Sequence, residues 1–316
     1  MAGWHGVTRD GHVSRPAKCR GRPRTGPGAA VLPARLYTRV VPARLIAENV
    51  AYINWTVLVG LAVGTFAAVV LARLRTSATR GYLSFTAACA AGFGALAYLS
   101  DTGLPAAVVG SAVATDPAWD VPRRLALAAF TLLAAVYTVV LARRGRAPLL
   151  ALVCVAAGGL AIAIGAVGWS AGLAKAVPLA IQLVVLTAAT GGVFAAMILG
   201  HWYLVTPKLA EAPLVLFSRI LLGVVAFQLL LFGVWVATGT GGGGPFSALS
   251  GPWALFVWLR LIVGLTFPLI VSWAAVQTAR SRSMESATGL LYINVGSIAA
   301  GTILAAGLYF GAGMLV

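Results

Sequence analysis

The stretch AYINWTVLVGLAVGTFAAVVLA, residues 51–72, carries no charged side chain. At a rise of about 1.5 Å per residue it reaches about 33 Å as a helix, enough for a hydrocarbon core about 30 Å thick. Seven more runs of this kind follow, so the spans are read at 51–72, 81–100, 124–142, 148–170, 176–200, 213–237, 252–278 and 285–312. The third is the shortest.

Composition agrees with this reading. Of 316 residues, 60% are hydrophobic and only 9% charged, against about 25% charged in a soluble domain. Mean hydropathy is +0.94. A water-facing surface cannot be assembled from so few charges, which leaves lipid as the solvent for most of the chain. The expected fold class is an all-α integral membrane protein, a polytopic bundle of eight transmembrane helices.

The net charge of +16 is distributed unevenly. Nine of the 23 Lys and Arg lie between Arg9 and Arg44, in a segment rich in Gly and Pro and without hydrophobic periodicity. Residues 1–50 are therefore expected to form a disordered basic tail ahead of a transmembrane domain at 51–316. A start codon assigned too early is one explanation, because only three of the basic residues are Lys, as in a GC-rich genome. The remaining charges flank the apolar runs. Arginine facing anionic lipid accounts for them without nucleic acid as a partner.

Loop charges give an orientation. Arg73, Arg75 and Arg80 follow the first span, and Arg143, Arg144 and Arg146 the third. Lys208 and Arg219 lie about the start of the sixth, and Arg280 and Arg282 follow the seventh. The alternate loops are poorer: residues 101–122 carry Asp101, Asp116 and Asp120 with no basic residue before Arg123 and Arg124. This places both termini on the non-cytoplasmic side of a bacterial inner membrane, against the pull of the basic tail. An internal echo is also visible. Arg124 precedes Arg144 by twenty residues, as Arg260 precedes Arg280, which would relate the first four helices to the last four as a parallel 4+4 duplication. Gly60 with Gly64, and Gly307 with Gly311, are spaced for close helix packing.

Polar groups within apolar runs mark candidate sites, because burying them in lipid is costly. His201 is the one His outside the tail and stands beside Trp202 and Tyr203. Imidazole at this position serves as a hydrogen-bonding partner, a proton relay or an interfacial anchor. Glu285 opens the last span with Ser283 as a candidate N-cap. Arg219 lies two turns into the sixth span, where snorkelling competes with a site role. With Tyr292 these residues form a candidate ligand site for a quinone, its ring on aromatic side chains and its oxygens on His and Arg. Arg260 lies two turns into the seventh span from the opposite side. It calls for a buried partner, either a carbonyl freed by Pro268 or the amides of Gln182 or Gln228.

Other chemistries lack their residues. A bis-His haem needs two inward histidines and finds one. DDxxD and HExxH patterns are missing, and Cys19, Cys89 and Cys154 form no CxxC pair. The glycines at 239–244 lack the Lys-Ser/Thr ending of a phosphate loop. The functional expectation is a quinone-interacting membrane subunit of a bacterial respiratory or redox complex, with other redox or membrane subunits as partners. A small-molecule or proton-coupled transporter is the alternative, with Glu285 as its coupling carboxylate, and a structural membrane anchor the third. A non-catalytic subunit or transporter fits better than a stand-alone enzyme.

Overall fold

The computed structural model describes residues 42–105, 112–145, 147–206, 209–240 and 243–316. Among these every regular element is a helix. A short helix, α1 (Pro42–Glu48), precedes eight that are long and apolar enough to cross a membrane. These are α2 (Val50–Arg75), α3 (Arg80–Thr102), α4 (Pro117–Ala142), α5 (Pro148–Gly168), α6 (Leu173–Val205), α7 (Ala212–Thr238), α8 (Ala254–Arg280) and α9 (Met284–Ala312).

Three boundaries depart from expectation by five residues or more. The fifth helix runs on to Val205 rather than residue 200, so His201, Trp202 and Tyr203 lie within it. The third helix starts at Pro117 rather than residue 124. Asp116 accepts a hydrogen bond from the Ala118 amide at 3.0 Å, Pro117 sets the first turn, and a 3-10 turn leads into the α-helix at Asp120. The charges at 120–124 mark a helical turn, not a loop. Residues 42–48, expected within the tail, are also helical. This helix has an Arg44–Glu48 pair at 2.8 Å on its outer side and Ile46 against Gly307 and Gly311 of α9. Residues 1–41 lie outside the described residues.

Most connections are short, and successive helices run antiparallel. The starts of α2, α4, α6 and α8 gather with the ends of α3, α5, α7 and α9 at what we term the first end. The converse set forms the second end. Helices α2 to α5 pack in sequence and close on themselves, as do α6 to α9. The two sets meet where α2 packs on α6 and α9, and where α6 packs on α5. The closest approach is Gly64 of α2 against Gly191 of α6. A Cβ on Gly64 would sit 2.0 Å from the Thr187 carbonyl oxygen, so only glycine admits this backbone contact. Gly264 and Gly301 bring α8 and α9 together in the same way, a Cβ on Gly264 falling 2.6 Å from Gly301 Cα. Both α2 and α8 widen into a π-helical turn at these contacts, over Gly60–Gly64 and Ile262–Thr266.

The exterior is apolar. Leu132, Leu152, Leu230, Ile270 and Trp273 are all more than half exposed. Water does not suit a surface of this kind.

Candidate functional site

Three polar groupings stand out inside this framework. One of them was not expected from the sequence. Asp101 ends the apolar run of α3 and is completely buried. Its carboxylate accepts four hydrogen bonds. Trp55 Nε1 donates to Oδ2 at 2.8 Å and Arg123 Nε to the same oxygen at 2.7 Å. Arg123 Nη2 and Arg124 Nε donate to Oδ1 at 3.3 and 3.2 Å. Arg123 Nη1 reaches Asp120 at 2.9 Å, and its guanidinium lies 4.7 Å from the Trp169 ring centre. The charges of Asp101 and Asp120 cancel those of Arg123 and Arg124.

Aromatic rings enclose this centre. Trp169 meets Trp55 edge-on at 4.6 Å, and Tyr52 stacks on Phe310 at 5.0 Å. The Tyr309 hydroxyl donates to the Trp169 carbonyl at 2.7 Å. The cluster thus joins α2, α3, α4, α5 and α9 at the first end. In the sequence Asp101 and Asp120 read as loop charges, with Arg123 and Arg124 at the membrane edge that follows. The available signal was their placement, with opposite charges at the facing ends of consecutive antiparallel helices.

The second grouping surrounds Arg260, which is 3% exposed. Nη2 donates to Gln228 Oε1 at 3.1 Å and Nη1 to the Gly264 carbonyl at 3.1 Å. Gly264 stands four residues before Pro268, whose ring nitrogen has no hydrogen to give that carbonyl. Gln228 Nε2 in turn donates to the Val185 carbonyl at 3.1 Å. Both kinds of partner named for Arg260 therefore occur together. Gln182 does not join them: it is buried, and its Oε1 has no hydrogen-bond partner. Arg260 Nε is likewise buried without an acceptor.

The third grouping is a cleft of about 660 Å³ near the second end, between α3, α6 and α9. His201, Trp202 and Tyr292 line it with Phe85, Cys89, Phe194 and Met197. The Tyr292 hydroxyl lies 3.3 Å from His201 Nδ1, the one hydrogen bond between side chains of its lining. Trp202 is held from behind by Gly81, where a Cβ would come within 2.6 Å of its ring.

The other candidate residues stay outside this cleft. Tyr203 is buried on the opposite face of α6, its hydroxyl donating to the Ala210 carbonyl. Arg219 and Glu285 are exposed, and neither has an ion-pair partner among the described residues. Ser283 does not cap α9 with its side chain; its hydroxyl donates to Ser286 at 2.9 Å. Helical spacing explains the split. Consecutive residues on a helix point about 100° apart, so His201, Trp202 and Tyr203 cannot share one face.

No protein-family model, curated protein or solved structure matches the chain.

Proposed function

We propose that the chain is a multi-pass membrane protein, its eight helices crossing a lipid bilayer, and that the His201 cleft binds a quinone. The bilayer reading draws on helix length and on the apolar exterior. Orientation draws on charge. At the second end Arg73, Arg75, Arg80, Arg143, Arg144, Arg219 and Arg280 have no acidic partner among the described residues. At the first end Arg123 and Arg124 are neutralised within the protein. The second end is therefore cytoplasmic and both ends of the helical domain lie outside. The contact of α2 with α9 corresponds to that of α6 with α5, and α2 meets α6 directly. Such an interface fits two parallel four-helix halves related by a twofold axis.

The observation that carries the quinone reading is the Tyr292–His201 contact within an otherwise apolar, aromatic-walled cleft. A quinone ring needs flat apolar walls and a hydrogen-bond donor for its carbonyl oxygen. His201 and Tyr292 supply the donor, and Trp202 and Phe85 the walls. In this reading the protein serves as the membrane subunit of a redox assembly. Equilibrium binding of short-tailed benzoquinone and naphthoquinone analogues to the detergent-purified chain tests it. We expect His201→Ala and Tyr292→Phe each to weaken binding about three- to ten-fold, the worth of one hydrogen bond. Arg219→Gln and Glu285→Gln should bind as the parent does. Parent protein that binds neither analogue, or variants indistinguishable from it, would remove the reading.

A second reading, a proton-coupled or small-molecule transporter, draws on Arg260. A buried guanidinium whose Nε has no acceptor, beside a widened turn and a proline, is the kind of feature that marks a transport path. Proton entry into proteoliposomes under an imposed potential, lost in Arg260→Met, would favour it. If neither assay responds, a membrane anchor is left.

A further inference from the structure

We propose that a second cleft, at the second end between α2, α4 and α5, holds the headgroup of an anionic phospholipid. The cleft measures about 600 Å³ and is walled by Ala67 and Leu71 of α2 and by Ala151 and Leu152 of α5. Arg73 is the one charged residue in its lining. Tyr137 of α4 forms the floor. It is 3% exposed, with its ring edge-on to Phe66 at 5.3 Å. Its hydroxyl makes no hydrogen bond to any described residue, and it lines the same cleft as Arg73. The hydroxyl is open to the cleft and free to donate to an acceptor that enters from outside the chain.

Charge selects that acceptor. Arg73, Arg75, Arg80, Arg143 and Arg144 all lie at this end of α2, α3 and α4. No Asp or Glu occurs between Glu48 and Asp101, or between Asp120 and Glu211. No carboxylate of these helices can therefore neutralise Arg73 here. A phosphate oxygen accepts from both the guanidinium and the phenol. Lining chemistry selects a lipid over a soluble phosphate. Leu74 and Leu152 border the cleft and are 69% and 64% exposed, so the site is continuous with the apolar exterior, where acyl chains would lie. This site is separate from the His201 cleft and rests only on the reading that the helices cross a bilayer.

The test presents the full chain, purified in neutral detergent, with phosphatidylglycerol and phosphatidylcholine of matched acyl chains. Bound lipid is counted by native mass spectrometry. We expect the parent to prefer phosphatidylglycerol about ten-fold, as a charge-assisted contact provides. Arg73→Gln should abolish the preference and Arg73→Lys keep most of it. Tyr137→Phe, which preserves the ring packing, should reduce it about three-fold. Arg219→Gln, at the same end but outside the cleft, should leave it intact. Equal retention of the two lipids by the parent, or an unchanged preference in Arg73→Gln and Tyr137→Phe, would overturn the proposal. So would displacement of phosphatidylglycerol by equimolar glycerol 3-phosphate, which would assign the cleft to a soluble phosphate compound. Extraction of the parent from membranes by alkaline carbonate would instead defeat the bilayer reading, whatever the lipid result.

Discussion

At the first end of the bundle four donors converge on the Asp101 carboxylate, all within 3.3 Å. At the second end His201 has a single 3.3 Å contact with Tyr292, and both side chains stay exposed to a cleft. The first arrangement is closed. Its charges cancel, its oxygens are saturated, and aromatic rings pack around it. The second is open, with hydrogen-bonding capacity left over and an apolar cavity beside it. Saturation marks a structural joint, whereas spare capacity next to a cavity marks a place for a ligand. Substitutions should separate the two, because joints respond in stability and ligand sites in binding.

The largest effect is expected from Asp101→Asn. The substitution leaves Arg123 buried at 1% exposure with its main counter-charge gone. Loss of one partner of a buried pair costs about 3–5 kcal/mol. Detergent-solubilised protein should unfold at much lower denaturant, while any that remains folded should bind quinone analogues as before. Replacing both partners, as Asp101→Leu with Arg123→Met, should recover much of the loss, since no charge is then left buried alone. A double variant as weak as Asp101→Asn would show that the centre does more than join helices.

Arg260 tests the boundary between the two types, for its network is almost closed yet leaves Nε without an acceptor. Arg260→Met keeps the volume but strips Gln228 Oε1 of its donor and reopens the Gly264 carbonyl. Each buried acceptor left without a partner costs about 1–3 kcal/mol. Removing a charge from an apolar interior offsets part of that sum. We expect a net loss of about 1–3 kcal/mol in unfolding free energy, smaller than for Asp101→Asn. A gain in stability would mean that the guanidinium is kept at a structural cost, as a functional group would be.

How far these groupings were legible in the sequence follows from the range of the interactions. Eight apolar runs showed as eight helices because length and hydropathy are local properties. Arg260 stood out alone in its run, and Pro268 named the carbonyl it meets, because that pairing lies within one helix turn. Asp101 and Arg123 are invisible as a pair in the sequence, being separated by a connection that reads as a loop. Their neighbour Trp55 comes from a different helix altogether. The sequence groups His201, Trp202 and Tyr203 by adjacency and adds Tyr292; helical rotation sends Tyr203 to the far side, whereas Tyr292, 91 positions away, stands 3.3 Å from His201. Arg219 and Glu285 shared an end of the molecule with His201, but sharing an end does not place two side chains in one cavity. Tyr137 gave no sign at all, since an unsatisfied hydroxyl is a property of its surroundings.

The smallest effect on stability is expected at the open site, and this makes it the sharpest test of the comparison. His201 is exposed and gives up one 3.3 Å contact when replaced. Tyr292 is 48% exposed and loses only its hydroxyl in Tyr292→Phe. Surface changes of this kind usually stay within about 0.5 kcal/mol. Both variants should therefore unfold with the parent while losing quinone affinity about three- to ten-fold. Trp202 provides a gradation within the cleft. It is partly buried against Gly81 and 6.4 Å from the Phe85 ring, so Trp202→Leu should cost both packing and binding. If His201→Ala destabilised the protein as strongly as Asp101→Asn, the second end would be a joint as well. The contrast between a saturated centre and an open one would then carry no functional meaning.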